Sequence, residues 1–177
     1  MSKIELINAS CADIQADAVV NAANRYLRAG GGICGVIFAK AGMAELSCAC
    51  KQYKTPLRDG EAVITPAFNL KNAKYIIHAV GPNFTFTPNA FDALFDAYYN
   101  SLCVLMENGL HSISFPLISS GIFGGLLEKP AFESAKQCLM AYEKFVADYP
   151  NYEIDVKLCA FKQEEMLEAQ VAFEERS

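Results

Sequence analysis

Residues 30–42 read GGGICGVIFAKAG, in which three glycines and a cysteine lead into an apolar segment of helical composition. The stretch follows an apolar, strand-like run at 18–20 and the tetrapeptide NAAN at 21–24. In sheets covered by helices, ligands bind beyond the carboxyl ends of strands, where a strand passes to a helix. Glycines there let the backbone approach a ligand, and the free N–H groups that begin the helix attract an anion. We call residues 24–32 the first glycine loop and predict that it binds phosphate.

The presence of a second glycine loop favours a ligand-binding site over a purely connecting turn. Taken alone, the glycine triplet fits a connecting turn, because its spacing matches neither a P-loop nor the dinucleotide fingerprint. The sequence SSGIFGG at 119–125, the second glycine loop, follows another apolar run and precedes a helix that starts near Pro130. Two such loops can clamp a diphosphate from both sides. Phe123 is flanked by glycines, and we interpret it as an aromatic that covers a ligand.

Short apolar runs alternate with longer helical patterns along the chain, which is typical of an α/β domain. Strands are predicted at 4–7, 18–20, 62–65, 75–80, 113–115 and 154–159. Apolar residues recur at helical spacing over 91–105 and 132–145, and Asn108-Gly109 is a helix-stop signal. We expect one domain over residues 1–177, with 163–177 as a terminal helix or tail.

The composition argues against several classes of protein. A net charge of -5 offers no basic surface for nucleic acid, so an anionic ligand would be held by backbone groups. No apolar run approaches the roughly 20 residues of a membrane span, and the first residues lack the apolar core of a signal peptide. We therefore expect a cytoplasmic protein with neither nucleic-acid nor membrane partners. The 7 cysteines, an odd number scattered through apolar segments, are expected to be reduced thiols.

These motifs, in this order, make the chain similar to the macrodomain family of ADP-ribose-binding proteins. The resemblance covers almost the whole chain and rests on NAAN at 21–24, GGGICGVIFAKAG at 30–42, GEAVIT at 60–65, YIIHAVGP at 75–82 and SGIFG at 120–124. It implies a three-layer α/β/α sandwich around a mixed, mainly parallel sheet, with the ligand in a cleft above the strand ends. The implied partners are ADP-ribose itself, or a protein or small molecule that carries it.

The resemblance also assigns ligand contacts to particular residues. Asn24 corresponds to the residue that contacts the distal ribose, which is the sugar farther from adenine, while Gly31 and Gly32 line the first glycine loop. Phe123 would lie over the distal ribose, and Phe161 matches an aromatic that stacks on adenine. The residues whose backbone N–H groups would hold the diphosphate are Ser120, Gly121, Ile122, Phe123 and Gly124.

One departure from the family pattern concerns adenine. The family usually has Gly-Asp-Ile after its first strand, and the carboxylate accepts a hydrogen bond from the adenine amino group. An alignment without gaps places Ser10 and Cys11 at the Asp and Ile positions, so both become predicted ligand-binding residues. The alternative, Asp13-Ile14, requires a deletion, and Ile14 fits better as an apolar residue of the next segment. Because a hydroxyl both donates and accepts, Ser10 should discriminate little between adenine and hypoxanthine.

A second departure concerns catalysis. Hydrolytic members, which release ADP-ribose from acidic side chains or deacetylate O-acetyl-ADP-ribose, carry Asp at the position of Cys34 and often His at that of Phe38. A thiol of pKa about 8.5 is mostly protonated at neutral pH and is a poor general base. A helix N-terminus can produce a thiolate, although a small side chain that fills space beside the ligand explains Cys34 equally well. The other catalytic route uses Asn24 to fix the ribose and a water activated by the substrate's own phosphate.

A third departure is the segment GLLEK at 125–129, longer than the family's usual connection, which could reshape the rim of the cleft. We predict no metal and no cofactor, because Cys48 and Cys50 lack zinc-ligand spacing even when Cys34 or His78 is added. His78 is expected to be a hydrogen-bonded strand residue.

Three functions stay open at this point. The chain is an ADP-ribose reader, a hydrolase of ADP-ribosyl esters or O-acetyl-ADP-ribose, or a degenerate scaffold. The presence of Asn24 and both glycine loops argues against the scaffold. The missing carboxylate at Cys34 is the feature that separates the reader from the hydrolase, and it does not decide between them alone.

Overall fold

Residues 1–176 are described by a computed structural model, and they form a six-stranded sheet with helices on both faces. Ser177, the last residue of the predicted terminal helix or tail, lies outside the described residues. The strands are β1 (Lys3–Ile7), β2 (Ala18–Ala23), β3 (Ala62–Pro66), β4 (Tyr75–Val80), β5 (Ser112–Pro116) and β6 (Asp155–Cys159). The helices are α1 (Gly32–Ala41), α2 (Met43–Cys50), α3 (Phe91–Glu107), α4 (Pro130–Asp148) and α5 (Gln163–Glu175). Short 3₁₀ turns occupy Cys11–Asp13 and Ile122–Gly124.

The sheet has the strand order β1-β6-β5-β2-β4-β3. Neighbouring strands are parallel except β3, which runs antiparallel to β4 at one edge. Successive strand residues point to opposite faces. Val20 and Ile77 accordingly lie in the core shared with α3, α4 and α5, whereas Val19 and Ile76 lie in the core shared with α1 and α2. This arrangement confirms the predicted three-layer sandwich with a mixed, mainly parallel sheet.

Helix α3 ends where the sequence predicts. Gly109 adopts a φ of 68°, and the N–H of Leu110 donates to the carbonyl of Leu105 at 3.1 Å. A left-handed residue just after a helix lets the last carbonyls find donors in the following backbone. The stop signal at Asn108-Gly109 is therefore confirmed.

Helices α1 and α2 are separated by Gly42, which has a φ of 113°. The sequence pattern did not predict α2 as a helix of its own. The two helices are bent by 107° at this break, and Phe38 of α1 and Leu46 of α2 are both fully buried. Within residues 1–176 no single helix is long and apolar enough to cross a membrane; this bent pair meets the length and composition criteria only when its two parts are joined.

Hydrogen bonds tie together the polar interior of β2, β3 and β4. His78 is fully buried, with Nδ1 3.1 Å from Asn21 Nδ2 and Nε2 3.0 Å from Thr65 Oγ1. Because an amide nitrogen only donates, Nδ1 accepts and the ring proton is assigned to Nε2. Burial lowers the pKa of His78 to about 4, which keeps the ring neutral near pH 7. His78 is thus the hydrogen-bonded strand histidine that the sequence predicts.

The entry to the second glycine loop is fixed by α3 and α4. Tyr98 of α3 is completely buried, and its hydroxyl accepts the N–H of Ile118 at 2.9 Å. Ser134 of α4 donates to the carbonyl of Ile118 at 2.5 Å and lies 2.6 Å from the Tyr98 hydroxyl. Where β5 leaves the sheet, the backbone N–H and carbonyl of Ile118 therefore hydrogen-bond to side chains and not to a neighbouring strand.

We expect Tyr98→Phe to lower the free energy of unfolding by about 1–3 kcal/mol, because the buried N–H of Ile118 loses its acceptor. Urea denaturation followed by circular dichroism measures the change. The control is Tyr99→Phe, whose hydroxyl bonds to Asp148 at the exposed surface and whose loss should cost no more than about 0.5 kcal/mol. Equal losses in the two variants would contradict the anchoring role of Tyr98.

Candidate functional site

A cleft opens where two parallel strands separate. Strands β2 and β5 pair only through Ala18 with Ile113 and Val19 with Ser114. Beyond these pairs the two strands continue to their carboxyl ends without pairing with each other. The resulting cleft has a volume of about 860 Å³, which is in the usual range for a small-molecule site.

The 3₁₀ turn at Cys11–Asp13 forms the floor of this cleft and contacts β2, β5 and β6. Cys11 is 1% exposed, with its Sγ 3.7 Å from the carbonyl oxygen of Val20, and the hydroxyl of Ser114 donates to the Cys11 carbonyl at 3.1 Å. Burial raises the pKa of the Cys11 thiol well above its usual value. Although predicted to bind ligand, Cys11 directs its side chain into the core and satisfies a carbonyl of β2.

The cleft brings together the predicted ligand-binding residues from separate parts of the chain, with one exception. Those that line it are Ser10, Cys11, Asn24, Gly31, Gly32, Cys34, Ser120, Gly121, Ile122, Phe123 and Phe161. The exception is Gly124, which is buried: its N–H donates to the Gly121 carbonyl at 2.9 Å, and Pro130 packs against its α-carbon. Two of the predicted diphosphate contacts are therefore contradicted, because the N–H of Gly124 already closes the turn and the N–H of Ser120 donates to the Leu117 carbonyl at 3.3 Å.

The first glycine loop leads into an uncapped helix. Gly31 is the N-cap of α1, and among residues 1–176 no side chain caps this helix. The first N–H groups of a helix have no intrahelical partner, so those of α1 are available at the cleft. Gly32 has a φ of 59°, a value that favours glycine. Gly35 allows the loop to fold back, because a Cβ there would lie 2.6 Å from the Gly30 carbonyl oxygen.

The second glycine loop offers N–H groups from the β5 side of the gap. Gly121 is the N-cap of its 3₁₀ turn, and no side chain of the described residues caps this turn. The first N–H groups of this turn, like those of α1, have no partner within the turn itself. Ile122 is 90% exposed, and the carbonyl of Phe123 accepts the N–H of Phe84 at 2.8 Å, which holds the loop against the segment after β4. Uncapped N–H groups thus face the cleft from both of its long sides.

Asn24 holds the first glycine loop in shape. Its Oδ1 accepts the N–H groups of Tyr26 and Arg28, each at 3.1 Å, and its Nδ2 donates to the Arg28 carbonyl at 2.8 Å. Because an amide nitrogen carries two hydrogens, one N–H of Asn24 remains for a ligand. A Cβ at Gly30 would stand 3.8 Å from this Nδ2 and 3.9 Å from Cys34 Sγ, so glycine keeps the space beside both groups open.

Cys34, in the first turn of α1, is buried beside the same loop. It is 5% exposed, and its Sγ lies 3.6 Å from the carbonyl oxygen of Arg28, to which the thiol donates. Burial raises the pKa of Cys34, an effect partly offset by the side chain of Asn21 and the backbone of Gly30. The thiol is therefore protonated near neutral pH, and the start of α1 does not turn it into a thiolate. Phe38, at the other departure from the hydrolytic pattern, is fully buried in the core.

The opposite end of the cleft is suited to a flat ring. Phe161, just after β6, is 71% exposed, and Val36 of α1 is 42% exposed, so both present apolar faces at this end. Ser10 caps the floor turn through its Oγ, which accepts the N–H of Ala12 at 3.4 Å. Its hydroxyl proton stays available, and weak discrimination between adenine and hypoxanthine stays a prediction.

Of the four charged residues that line the cleft, sequence reasoning considered Asp13, as the alternative to Ser10, and missed Lys40, Lys162 and Glu165. Asp13 and Lys40 form an exposed ion pair at 2.7 Å, and Lys162 and Glu165 also line the cleft. Lys40 lies one helical turn after Val36, so the helical periodicity of α1 could have indicated it. Glu165 accepts the N–H of Lys162 as the last residue of a capping box does, but lysine lacks the N-cap oxygen by which this motif is recognised in a sequence. These two acids and two bases leave the cleft without net charge.

Known proteins share this fold and sequence. The Macro domain family model matches residues 20–131. An O-acetyl-ADP-ribose deacetylase of Salmonella typhimurium is 37% identical over 152 residues, which cover 84% of this chain and 82% of the relative. The chain therefore belongs to the macro domain family.

Solved macrodomains superpose on nearly the whole chain. The Oceanobacillus iheyensis macrodomain with ADP has a TM-score of 0.88 and 31% identity, covering 99% of this chain and 92% of its own. The Trypanosoma brucei macrodomain in complex with ADP-ribose has a TM-score of 0.82 and 29% identity, covering 96% of this chain and 68% of its own.

Gly121→Val should abolish binding of ADP while the protein stays folded. Nothing lies within 4 Å of a Cβ at Gly121, and Gly121 lines the cleft, so the valine side chain would occupy space that the ligand needs. Calorimetry measures binding, and the midpoint of thermal unfolding should stay within about 3 °C of the parent's. The control, Ile122→Val, keeps every backbone N–H and should bind as the parent does. A folded Gly121→Val protein with parental affinity would show that the anion lies elsewhere.

Proposed function

We propose that this chain binds ADP-ribose, free or attached to a protein or small molecule, in the cleft between β2 and β5. The observation that carries the proposal is the pair of uncapped glycine loops on the two sides of the cleft, with Asn24 beside one of them. N–H groups at such positions bind anions without a basic side chain. This suits a chain whose net charge is -5 and whose cleft charges cancel.

Each part of ADP-ribose has a complementary surface in this proposal. The diphosphate lies between the N–H groups of α1 and those of the 3₁₀ turn that follows Gly121. The distal ribose lies next to the free N–H of Asn24, under Phe123, and the adenine lies against Phe161. We also propose a cytoplasmic location and the absence of nucleic-acid and membrane partners. The acidic net charge supports the absence of a nucleic-acid partner.

Hydrolysis of an ADP-ribosyl ester is the second function we propose, favoured by the 37% identity with an O-acetyl-ADP-ribose deacetylase. Cys34 is protonated and donates to a carbonyl, so it does not serve as the base. Of the two carboxylates that line the cleft, Asp13 is paired with Lys40, and Glu165 accepts the N–H of Lys162 at the start of α5. The base in this proposal is the substrate itself: a water between the glycine loops gives a proton to a phosphate oxygen as it attacks the ester carbonyl, and that proton then passes to the ribose oxygen that leaves. The products are ADP-ribose and a carboxylic acid.

ADP-ribose should bind with one-to-one stoichiometry and at least micromolar affinity, a binding free energy of roughly -7 to -8 kcal/mol. Calorimetric titrations with ADP-ribose, ADP and AMP test this. ADP-ribose should bind most tightly, ADP less tightly and AMP most weakly, because each fills fewer regions of the cleft than the one before it. An absence of both heat and thermal stabilisation at millimolar ADP-ribose would refute the proposal.

Variants at Cys34 separate the reader from the hydrolase. If the parent releases ADP-ribose from a carboxylate-linked substrate, Cys34→Ala should retain the rate within about tenfold, because a protonated thiol supplies no base. Asn24→Ala should lose far more, since it frees the ribose and removes the contacts to Arg28. Cys34→Asp restores the family's carboxylate and should raise the rate.

The measurement is release of free ADP-ribose by the parent and the three variants. Turnover that vanishes in Cys34→Ala would make the cysteine a catalyst. No turnover in the parent or in Cys34→Asp, together with tight ADP-ribose binding, would leave the reader as the function.

A further inference from the structure

Glu165 is an acidic side chain in a cleft that should receive a diphosphate. It lies half-buried in the first turn of α5, and it lines the cleft together with Ser120 and Phe161. Its Oε1 accepts the backbone N–H of Lys162 at 3.2 Å, and its Oε2 lies 3.4 Å from the hydroxyl oxygen of Ser120. The carboxylate therefore lies between Lys162, which follows the exposed Phe161, and Ser120 of the second glycine loop.

The Oε2 atom of Glu165 is poorly satisfied by the protein. A serine hydroxyl has one proton, and that of Ser120 also lies 2.7 Å from the carbonyl oxygen of Leu117. The Leu117 carbonyl, at the shorter distance, is the better acceptor of this proton. The carboxylate oxygen keeps its lone pairs for donors that a ligand brings.

The position of Glu165 matches one part of the proposed ligand. In the proposed complex the adenine ring lies against Phe161 and the diphosphate lies at the second glycine loop. The adenosine ribose, which joins them, must therefore pass the residues between these two regions, and Glu165 is one of them. A ribose brings two adjacent hydroxyl donors, and a carboxylate accepts hydrogen bonds from such donors more strongly than a neutral group does.

Resting on the function proposed above, we propose that Glu165 binds the hydroxyls of the adenosine ribose and excludes ligands with a 2′-phosphate. The charge that strengthens the hydroxyl contacts also repels a phosphate at the same position. The other charged residues that line the cleft are the exposed Lys162 and the ion pair of Asp13 with Lys40. Lys162 is exposed to solvent, which weakens its compensation of the Glu165 charge.

The test compares the affinities of ADP-ribose and ADP-ribose 2′-phosphate by calorimetry. In the parent protein the 2′-phosphate should weaken binding by at least about tenfold. In Glu165→Gln this difference should shrink to less than about threefold, and ADP-ribose itself should bind several-fold more weakly than in the parent. The matched control is Glu164→Gln, which removes the same charge from an exposed neighbour that does not line the cleft. It should change neither affinity.

The contrary outcomes are distinct. Equal parental affinity for the two ligands would overturn the role of Glu165 and leave ADP-ribose binding intact. Tighter binding of both ligands by the same factor in Glu165→Gln would also overturn it, because the carboxylate would then only repel the diphosphate. A parent that binds neither ligand would refute the proposed function itself.

Discussion

The separation of β2 from β5 after two residue pairs is the constraint on which the site depends. Two parallel strands that stay paired leave no room between their carboxyl ends, whereas these strands part and send their loops along opposite sides of a gap. The gap would expose backbone at its floor, and the Cys11–Asp13 turn prevents this by contacting both strands and β6. The buried thiol of Cys11, next to the Val20 carbonyl, is therefore part of what makes a cleft compatible with a closed core.

The two loops are fixed by different layers of the sandwich. On one face, Tyr98 and Ser134 pair the backbone of Ile118 before the second glycine loop starts. On the other, the close approach of Gly35 to Gly30 and the bonds of Asn24 to Arg28 hold the first glycine loop. Both loops are thus shaped before any ligand arrives, which reduces the conformational entropy lost on binding.

The sequence predicts the sheet, its three layers and the placement of both loops, because β-branched runs, helical spacing and glycines at strand ends are local signals. The sequence does not predict features that depend on which groups hydrogen-bond or pack together in the folded chain. A motif cannot tell that the N–H of Gly124 is already used by the Gly121 carbonyl, or that Cys11 faces the core. Helix α2 is short, 8 residues, and follows a glycine, so its periodicity is hard to separate from that of α1. Glu165 lines the cleft from α5, whose position is set by its packing on α4 and β1.

Holding an anion with uncharged N–H groups has a consequence for how fast it arrives. Most proteins that bind phosphates attract them over long distances through basic side chains, and added salt slows that encounter. Here the whole chain carries a charge of -5 and the charges lining the cleft cancel, so the long-range field repels an anionic ligand. Screening that field should speed association instead of slowing it. The ligand is therefore recognised by short-range contacts, which form after it has entered the cleft.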